Sequence, residues 1–418
     1  MAKQLDSTQN QEKNNINRRE FMKTAGAAAV TFMIMKPELV KGSQANSKIN
    51  LGMIGCGERG SWIADLFLKN GNYNITAGAD YFQDKADAFA ERFGVDKSKM
   101  FTRLSGYKQL LEADVDAVAI ESPPYFHPEQ AQAAVAAGKH VYLAKPVAID
   151  VPGCNTISES ANKATSKNQV FLVDFQTRTD PYYIEAVKRV HEGAIGEIAF
   201  AESNFQGDGP WKKWFPLLQE DSKNPENRLR GWGCFRTLAG DIIVEQSIHS
   251  IDVDTWLLDK APLSAVGAGG NRTRPVGDVL DWLTLFYEYE GNIGINFGGR
   301  QFNGHGTKGG ITNRMFGSKG VLEAQYGGQV LIRGEGENFY KGGRSPGIYQ
   351  EGAERNIASF HDHITNKNYE NATVPPSVRS TMTSILGRNA GYTGERITWQ
   401  ELVKDTSRLE PDLDGLLT

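Results

Sequence analysis

Ile49-Asn50-Leu51-Gly52-Met53-Ile54-Gly55-Cys56-Gly57-Glu58-Arg59-Gly60 is the stretch that decides the fold. Its first six residues read as a short buried strand. Gly55, Gly57 and Gly60 then write a G-x-G-x-x-G turn, and residues 61–70 follow with helical spacing, Ile63, Leu66 and Phe67 on one side. Strand, glycine turn and helix in that order make a dinucleotide-binding unit. The first glycine permits the tight turn, the second lets a pyrophosphate approach the backbone, and the third lets the helix pack on the sheet. The unpaired N–H groups of the helix N-terminus then face the phosphates. Glu58 and Arg59 lie inside the run and count with the glycines as cofactor-binding positions. A second strand at 74–79 ends in Asp80, about 20 residues beyond Gly60, where an acid bonds the ribose hydroxyls. The same carboxylate repels a 2′-phosphate, so NAD is favoured over NADP.

The alternation continues outward from this unit. Helical spacing at 83–93, 106–112 and 128–137 separates short strands at 100–102, 117–121 and 140–143. Such alternation means a doubly wound parallel sheet, whose ligands bind at the carboxyl ends of its strands. Ser122, Pro123 and His127 therefore lie beside the cofactor, with Lys145 and Pro146 at the mouth of the crevice. Residues 170–175 read as a further strand and 180–192 as a helix. Strand-like runs follow at 197–204, 282–289, 293–297 and 321–325. The Gly-rich segment 304–310 reads as a turn, because no helix follows it to hold a phosphate.

At 418 residues the chain is long enough for two domains, and 39% hydrophobic with 23% charged residues is ordinary globular composition. The net charge is −4; the first 45 residues carry seven Lys/Arg and four Asp/Glu, which leaves the remainder at −7. A mildly acidic body argues against nucleic acid or an anionic membrane as partner. Cys56, Cys154 and Cys234 are too few and too scattered for a disulfide framework or a C-x-x-C metal site, and read as small buried hydrophobes. His361 and His363, two apart on a helix, diverge and have no evident third ligand, so no metal is expected.

The N-terminus reads as a targeting segment. A polar start leads to Asn17-Arg18-Arg19-Glu20-Phe21-Met22-Lys23 and an apolar stretch at 24–35, too short to span a membrane. This is the layout of a signal peptide, and Arg-Arg-x-Phe-Met-Lys resembles a twin-arginine export signal. Cleavage near Ser43-Gln44-Ala45 would divide the chain into a signal at 1–45, a nucleotide-binding domain at 46–168 and a second domain at 169–418. Twin-arginine substrates are exported folded, so the export machinery is an expected partner and the periplasm the expected location. Free NAD is scarce there, so the cofactor should stay bound and be recycled in place.

Together, Gly55-x-Gly57-x-x-Gly60, Asp80, Ser122-Pro123-Pro124 with His127, and Gly138-Lys139-His140-Val141 leading to Lys145-Pro146 resemble the glucose–fructose oxidoreductase/inositol dehydrogenase (Gfo/Idh/MocA) family. Gly240-Asp241-Ile242-Ile243-Val244-Glu245-Gln246-Ser247-Ile248-His249-Ser250-Ile251-Asp252 is similar to that family's second motif. The resemblance covers about residues 48–400. It implies an α/β fold with an N-terminal Rossmann doubly wound parallel sheet and a C-terminal α/β domain built on an open, mostly antiparallel sheet, which in relatives pairs into homo-oligomers. It also implies that Lys145 and His249 meet at the reacting carbon. Two positions depart from the pattern. Ala144 stands where the family commonly has Glu before Lys-Pro, and Glu245 where it commonly has Asp.

Oxidising a carbinol requires a base for the hydroxyl proton and a cation for the charge on the oxygen. His249 is the better base near neutrality, and Lys145 orients the hydroxyl. If 245–252 is one helix, Glu245, His249 and Asp252 lie near one face, and Glu245 touches either substrate hydroxyls or His249. Trp211 and Trp232, with Trp214, Phe215 and Phe235, form either an aromatic wall for a sugar face or ordinary core. Arg178 either binds a substrate oxygen or makes an internal ion pair. The leading reading is an NAD-dependent dehydrogenase of a sugar, glycoside or cyclitol, with C3 of a glycoside as the specific expectation. The alternatives are a redox-neutral glycosidase that uses the same bound NAD, and a nucleotide-binding protein without catalysis.

Overall fold

The computed structural model describes residues 48–418; the export signal read at 1–45 lies outside the described residues. The first layer is a six-stranded parallel sheet of order β3-β2-β1-β4-β5-β6. Its strands are β1 (Ile49–Ile54), β2 (Tyr73–Ala79), β3 (Met100–Phe101), β4 (Ala117–Ile120), β5 (His140–Ala144) and β6 (Phe171–Asp174). Between them run α1 (Glu58–Asn70), α2 (Gln83–Phe93), α3 (Gly106–Glu112), α4 (His127–Ala136) and α5 (Val151–Ser166). The strands read as nearly continuous apolar runs because helices cover both faces. Leu51 and Met53 pack with Phe67 and Tyr142 on one face, while Ile54, Val118 and Ile120 join the core on the other. All three cysteines are free and buried.

β6 pairs in parallel with β5, so the first sheet runs past the division expected at 168. That division also fails at the other end of the chain. After α6 (Pro181–His191), β7 (Ile198–Gly207), α7 (Ile242–Glu245) and α8 (Ile248–Leu258), the second sheet adds β8 (Ser264–Gly270), β9 (Trp282–Tyr289), β10 (Ile293–Gln301), β11 (Gly310–Gly317), β12 (Gly320–Gln325), β13 (Gln329–Gly334) and β14 (Tyr340–Arg344). Then α9 (Ile348–Thr365) returns to the first domain. Its Ala353, Ile357 and Phe360 pack with Leu51, Met53 and Phe67, and the Tyr73 hydroxyl donates to the Ile357 carbonyl at 2.9 Å.

The nine-stranded second sheet has the order β14-β13-β12-β11-β7-β10-β9-β8-β15, closing with β15 (Ile397–Thr398). It is antiparallel except for the β7/β10 pair. On its inner side lies α10 (Val374–Thr393), buried along most of its length. Helical periodicity does not reveal α10, because its inward positions include Ser377, Ser380, Thr381, Thr383 and Ser384. Their hydroxyls return to the helix; Thr381 donates to the Ser377 carbonyl at 2.9 Å and Ser384 to Ser380 at 3.0 Å.

Candidate active site

The glycine turn is built for close approach. A Cβ on Gly55, whose φ is +93°, would lie 2.7 Å from the Glu121 carbonyl carbon, and one on Gly60 would lie 1.8 Å from the Gly55 oxygen. A Cβ on Gly57 would meet nothing within 4 Å, the open space that a pyrophosphate would need to come against the backbone. Asp80 ends β2, accepting the Cys56 N–H at 2.8 Å and the Phe82 N–H at 2.9 Å. It thus holds the turn while facing the cleft, and burial pushes its carboxyl up. Ser122 and Pro123 line the same cleft, as do Glu58 and Arg59. The glycine cradle and the acid on β2 fit NAD. Replacing Asp80 by asparagine is expected to weaken NAD about tenfold and to narrow the preference over NADP, checked by titrating both dinucleotides.

His127 is not in the cleft lining. It is buried beneath it, with its ring nitrogens 2.8 Å from the Pro146 carbonyl oxygen and 2.9 Å from that of Ser122. Two carbonyls favour a doubly protonated ring, but burial outweighs them and pushes His127 down to about 4. His127 ties the Ser122 loop to the Lys145 loop.

Lys145 follows β5. Its Nζ donates to the Glu245 carbonyl oxygen at 2.5 Å and lies 3.1 Å from Glu245 Oε1. Glu245 thus pairs with Lys145, whose preceding residue, Ala144, carries no carboxyl. Gln246 Nε2 donates to the other Glu245 oxygen. The stretch expected as one helix is two, α7 and α8, broken at Gln246-Ser247. Asp252 turns inward to Arg178, which donates from Nε at 3.1 Å and Nη2 at 2.9 Å, and to the Ser380 hydroxyl at 2.7 Å. Arg178 therefore makes the internal ion pair.

His249 is buried between Phe175 and Tyr326, with ring centroids at 6.4 and 5.5 Å, and its Nδ1 has no partner. Burial, then the positive charges of Lys145 and Arg59, hold its pKa well below the ordinary value. The ring is a neutral imidazole near neutrality. The Tyr326 hydroxyl beside it is also buried and unpartnered. Tyr326 follows β12, far from either motif, and nothing in the sequence marks it.

Trp211 and Trp232 pack edge to face, with centroids 4.5 Å apart. They line the cleft of the glycine turn and Asp80, together with Trp214, Lys213 and Arg230; Lys145, Glu245 and His249 are not in that lining. These aromatics, read as either a sugar-facing wall or core, line the cleft of the glycine turn and pack against the core of Leu218, Cys234, Phe235 and Leu238. Lys213 reaches Glu58 at 2.5 Å, and Arg230 reaches Asp84 at 2.8 Å while lying over the Phe82 ring. The Tyr81 hydroxyl donates to Glu226 at 2.9 Å and accepts the Leu417 N–H at 3.2 Å, so the C-terminal tail borders the cleft.

Two family models match: the oxidoreductase family with an NAD-binding Rossmann fold over residues 49–173, and the GFO/IDH/MocA C-terminal domain over 183–323. The chain belongs to the Gfo/Idh/MocA family. The first of the two models describes a family of oxidoreductases with an NAD-binding Rossmann fold. Among curated relatives of this family, an inositol 2-dehydrogenase of Rhizobium meliloti is 23% identical over 56% of this chain and 62% of its own length. A levoglucosan dehydrogenase of Pseudarthrobacter phenanthrenivorans is 28% identical over 57% and 61%, and a glycosyl hydrolase family 109 protein of Shewanella pealeana 26% over 50% and 49%. The chain thus spans about half to three-fifths of these relatives' lengths. The solved scyllo-inositol dehydrogenase of Lactobacillus casei with NAD(H) and scyllo-inositol shares the fold, with a TM-score of 0.66 and 22% identity over 84% of this chain and 99% of that one.

Proposed function

We propose that this Gfo/Idh/MocA member is an exported dehydrogenase of a sugar, glycoside or cyclitol hydroxyl, with C3 of a glycoside as the carbon oxidised. The observation that carries the reading is the Lys145–Glu245 pair set against a buried, neutral His249. His249 takes the hydroxyl proton, and the Lys145 ammonium holds the oxygen as negative charge develops on it. Glu245 fixes the Lys145 side chain in place. NAD, when bound, supplies the hydride acceptor. The unpartnered Tyr326 hydroxyl and His249 Nδ1 await polar partners, as a polyol would provide. Relatives named for inositol and levoglucosan support that substrate class.

Trp211, Trp214 and Trp232, which line the cleft of the glycine turn, support a resident cofactor, recycled by a second carbonyl substrate rather than released. That agrees with export in the folded state to the periplasm through the twin-arginine machinery, a reading that rests on residues 17–35. The outer face of the second sheet, with Phe200 stacked on Phe316 and Phe286 exposed, suits pairing with a second copy.

A redox-neutral glycosidase is the second reading. It is favoured by the family 109 relative and by Glu245, a carboxylate at the site for the additional proton transfer. The test adds a panel of glycosides and cyclitols to mature protein carrying its NAD, while near-ultraviolet absorbance of reduced nicotinamide and product masses are followed. Reduced cofactor and a product lacking two hydrogens are expected. Free sugar and aglycone without net reduction would instead establish the glycosidase. No turnover of any member by NAD-loaded protein would overturn both.

A further inference from the structure

Glu121, the first residue past β4, has no part in the chemistry above. Its side chain is fully buried, yet it lines the cofactor cleft. Oε2 accepts from Arg59 Nε at 3.1 Å, while Oε1 has no partner. A buried carboxylate oxygen without a donor is costly, and such orphans in native folds call for an explanation. Burial pushes this carboxyl up to about 7 against the pull of Arg59.

Strand register locates the group. Ile120 pairs with Leu143 and Ala144 with Asp174, so Glu121, Ala144 and Asp174 stand in a row along the carboxyl edge of the sheet. Arg59 spans that row, reaching Asp174 with Nη2 at 2.6 Å. Asp174 is saturated, with Gln176 at 2.9 Å and Asn356 at 2.7 Å also donating to it; Glu121 is not. The strand order reverses between β1 and β4. A dinucleotide with its adenosine at Asp80 therefore lays its nicotinamide half over β4 and β5.

We propose that Glu121 Oε1 accepts a hydrogen bond from the nicotinamide half of NAD, from its carboxamide N–H or its ribose hydroxyl, and that Arg59 and Asp174 hold the carboxylate in position for this. Glu121 is a cofactor-positioning residue; it fixes the nicotinamide beside Lys145, which follows the neighbouring strand β5. The inference rests on NAD binding and is independent of which substrate is oxidised.

Stripped protein is titrated with NAD, with 3-acetylpyridine adenine dinucleotide (which lacks the amide N–H) and with ADP, read by quenching of the tryptophans in the cleft. Glu121→Leu is expected to weaken NAD about tenfold or more and to leave ADP unchanged. If the carboxamide is the donor, wild type prefers NAD to the analogue and the variant does not. If the ribose is the donor, the variant weakens both alike. NAD affinity at the wild-type level overturns the proposal. Should Glu121→Leu lose ADP as well, Glu121→Gln is read in its place. Arg59 holds that amide's oxygen and turns its NH2 toward the donor, so weakened NAD binding is again expected and unchanged binding again overturns. Activity enters none of these readings, so a failed substrate panel leaves them intact.

Discussion

Replacing Lys145 by methionine is expected to lower kcat/KM for the alcohol on the order of a thousandfold, with NAD still bound. The ammonium is the one group of the pair that carries positive charge where the alkoxide forms. The variant has a second consequence. Glu245 keeps a carboxylate whose side chain is only 11% exposed and which has lost its cation. Breaking a buried pair from one side costs about 3 kcal/mol or more, so the melting temperature falls too. The double variant Lys145→Met with Glu245→Gln separates the effects. It should recover much of the stability and none of the activity, measured by thermal melts and steady-state rates on the same preparations. Recovery of activity by the double variant would remove Lys145 from the chemistry and leave it a structural counter-ion.

Replacing His249 by glutamine is expected to cost about a hundredfold to ten-thousandfold in kcat, and the wild-type pH profile tests the same residue without mutation. The base works as neutral imidazole. Burial and two nearby cations hold its pKa well below the ordinary 6.5. The neutral form therefore persists as pH falls through 6.5, and kcat/KM should decline only at lower pH. A limb centred near 6.5 would mean that His249 is solvated or is not the base. Acid also acts on the fold. His127 is held down to about 4 in the folded protein, against about 6.5 when unfolded. Between those values the unfolded chain binds the proton that the native state refuses, so stability falls as pH drops through the window. Circular dichroism at each pH distinguishes lost catalysis from lost structure.

The first domain was largely legible because its signals are local. The helices at Gln83–Phe93 and Gly106–Glu112 lie where spacing puts them. A glycine turn between a strand and a helix is a backbone requirement that any reader of the chain can see. The buried hydroxyl-rich helix α10 and the return of α9 to the first core were not legible. Their burial is decided by distant segments, and serine and threonine carry no apolar period.

At the site, the family resemblance pointed to Lys145 and His249, with Glu245 beside them, but not to their relations. Spacing of four between Glu245 and His249 implied a shared helical face; the break at Gln246-Ser247 gives Glu245 to Lys145 instead, a hundred residues away in the chain. Arg178 finds Asp252 only in the fold, and Trp211 and Trp232, whose sequence left open a sugar-facing wall or core, line the cleft of the glycine turn. The sequence alone determined the dinucleotide turn, which backbone geometry fixes within a short window; the spacing of Asp80 points to NAD, and the pairing of Lys145 with His249 is what the family resemblance implies. Tertiary structure alone decided which carboxylate serves which cation, which histidine keeps an unpartnered ring nitrogen and which is locked to carbonyls, and that Glu121 keeps a free oxygen. Those outcomes depend on burial and on partners far away in the chain, and electrostatics in a buried site is set by what surrounds a group rather than by what precedes it.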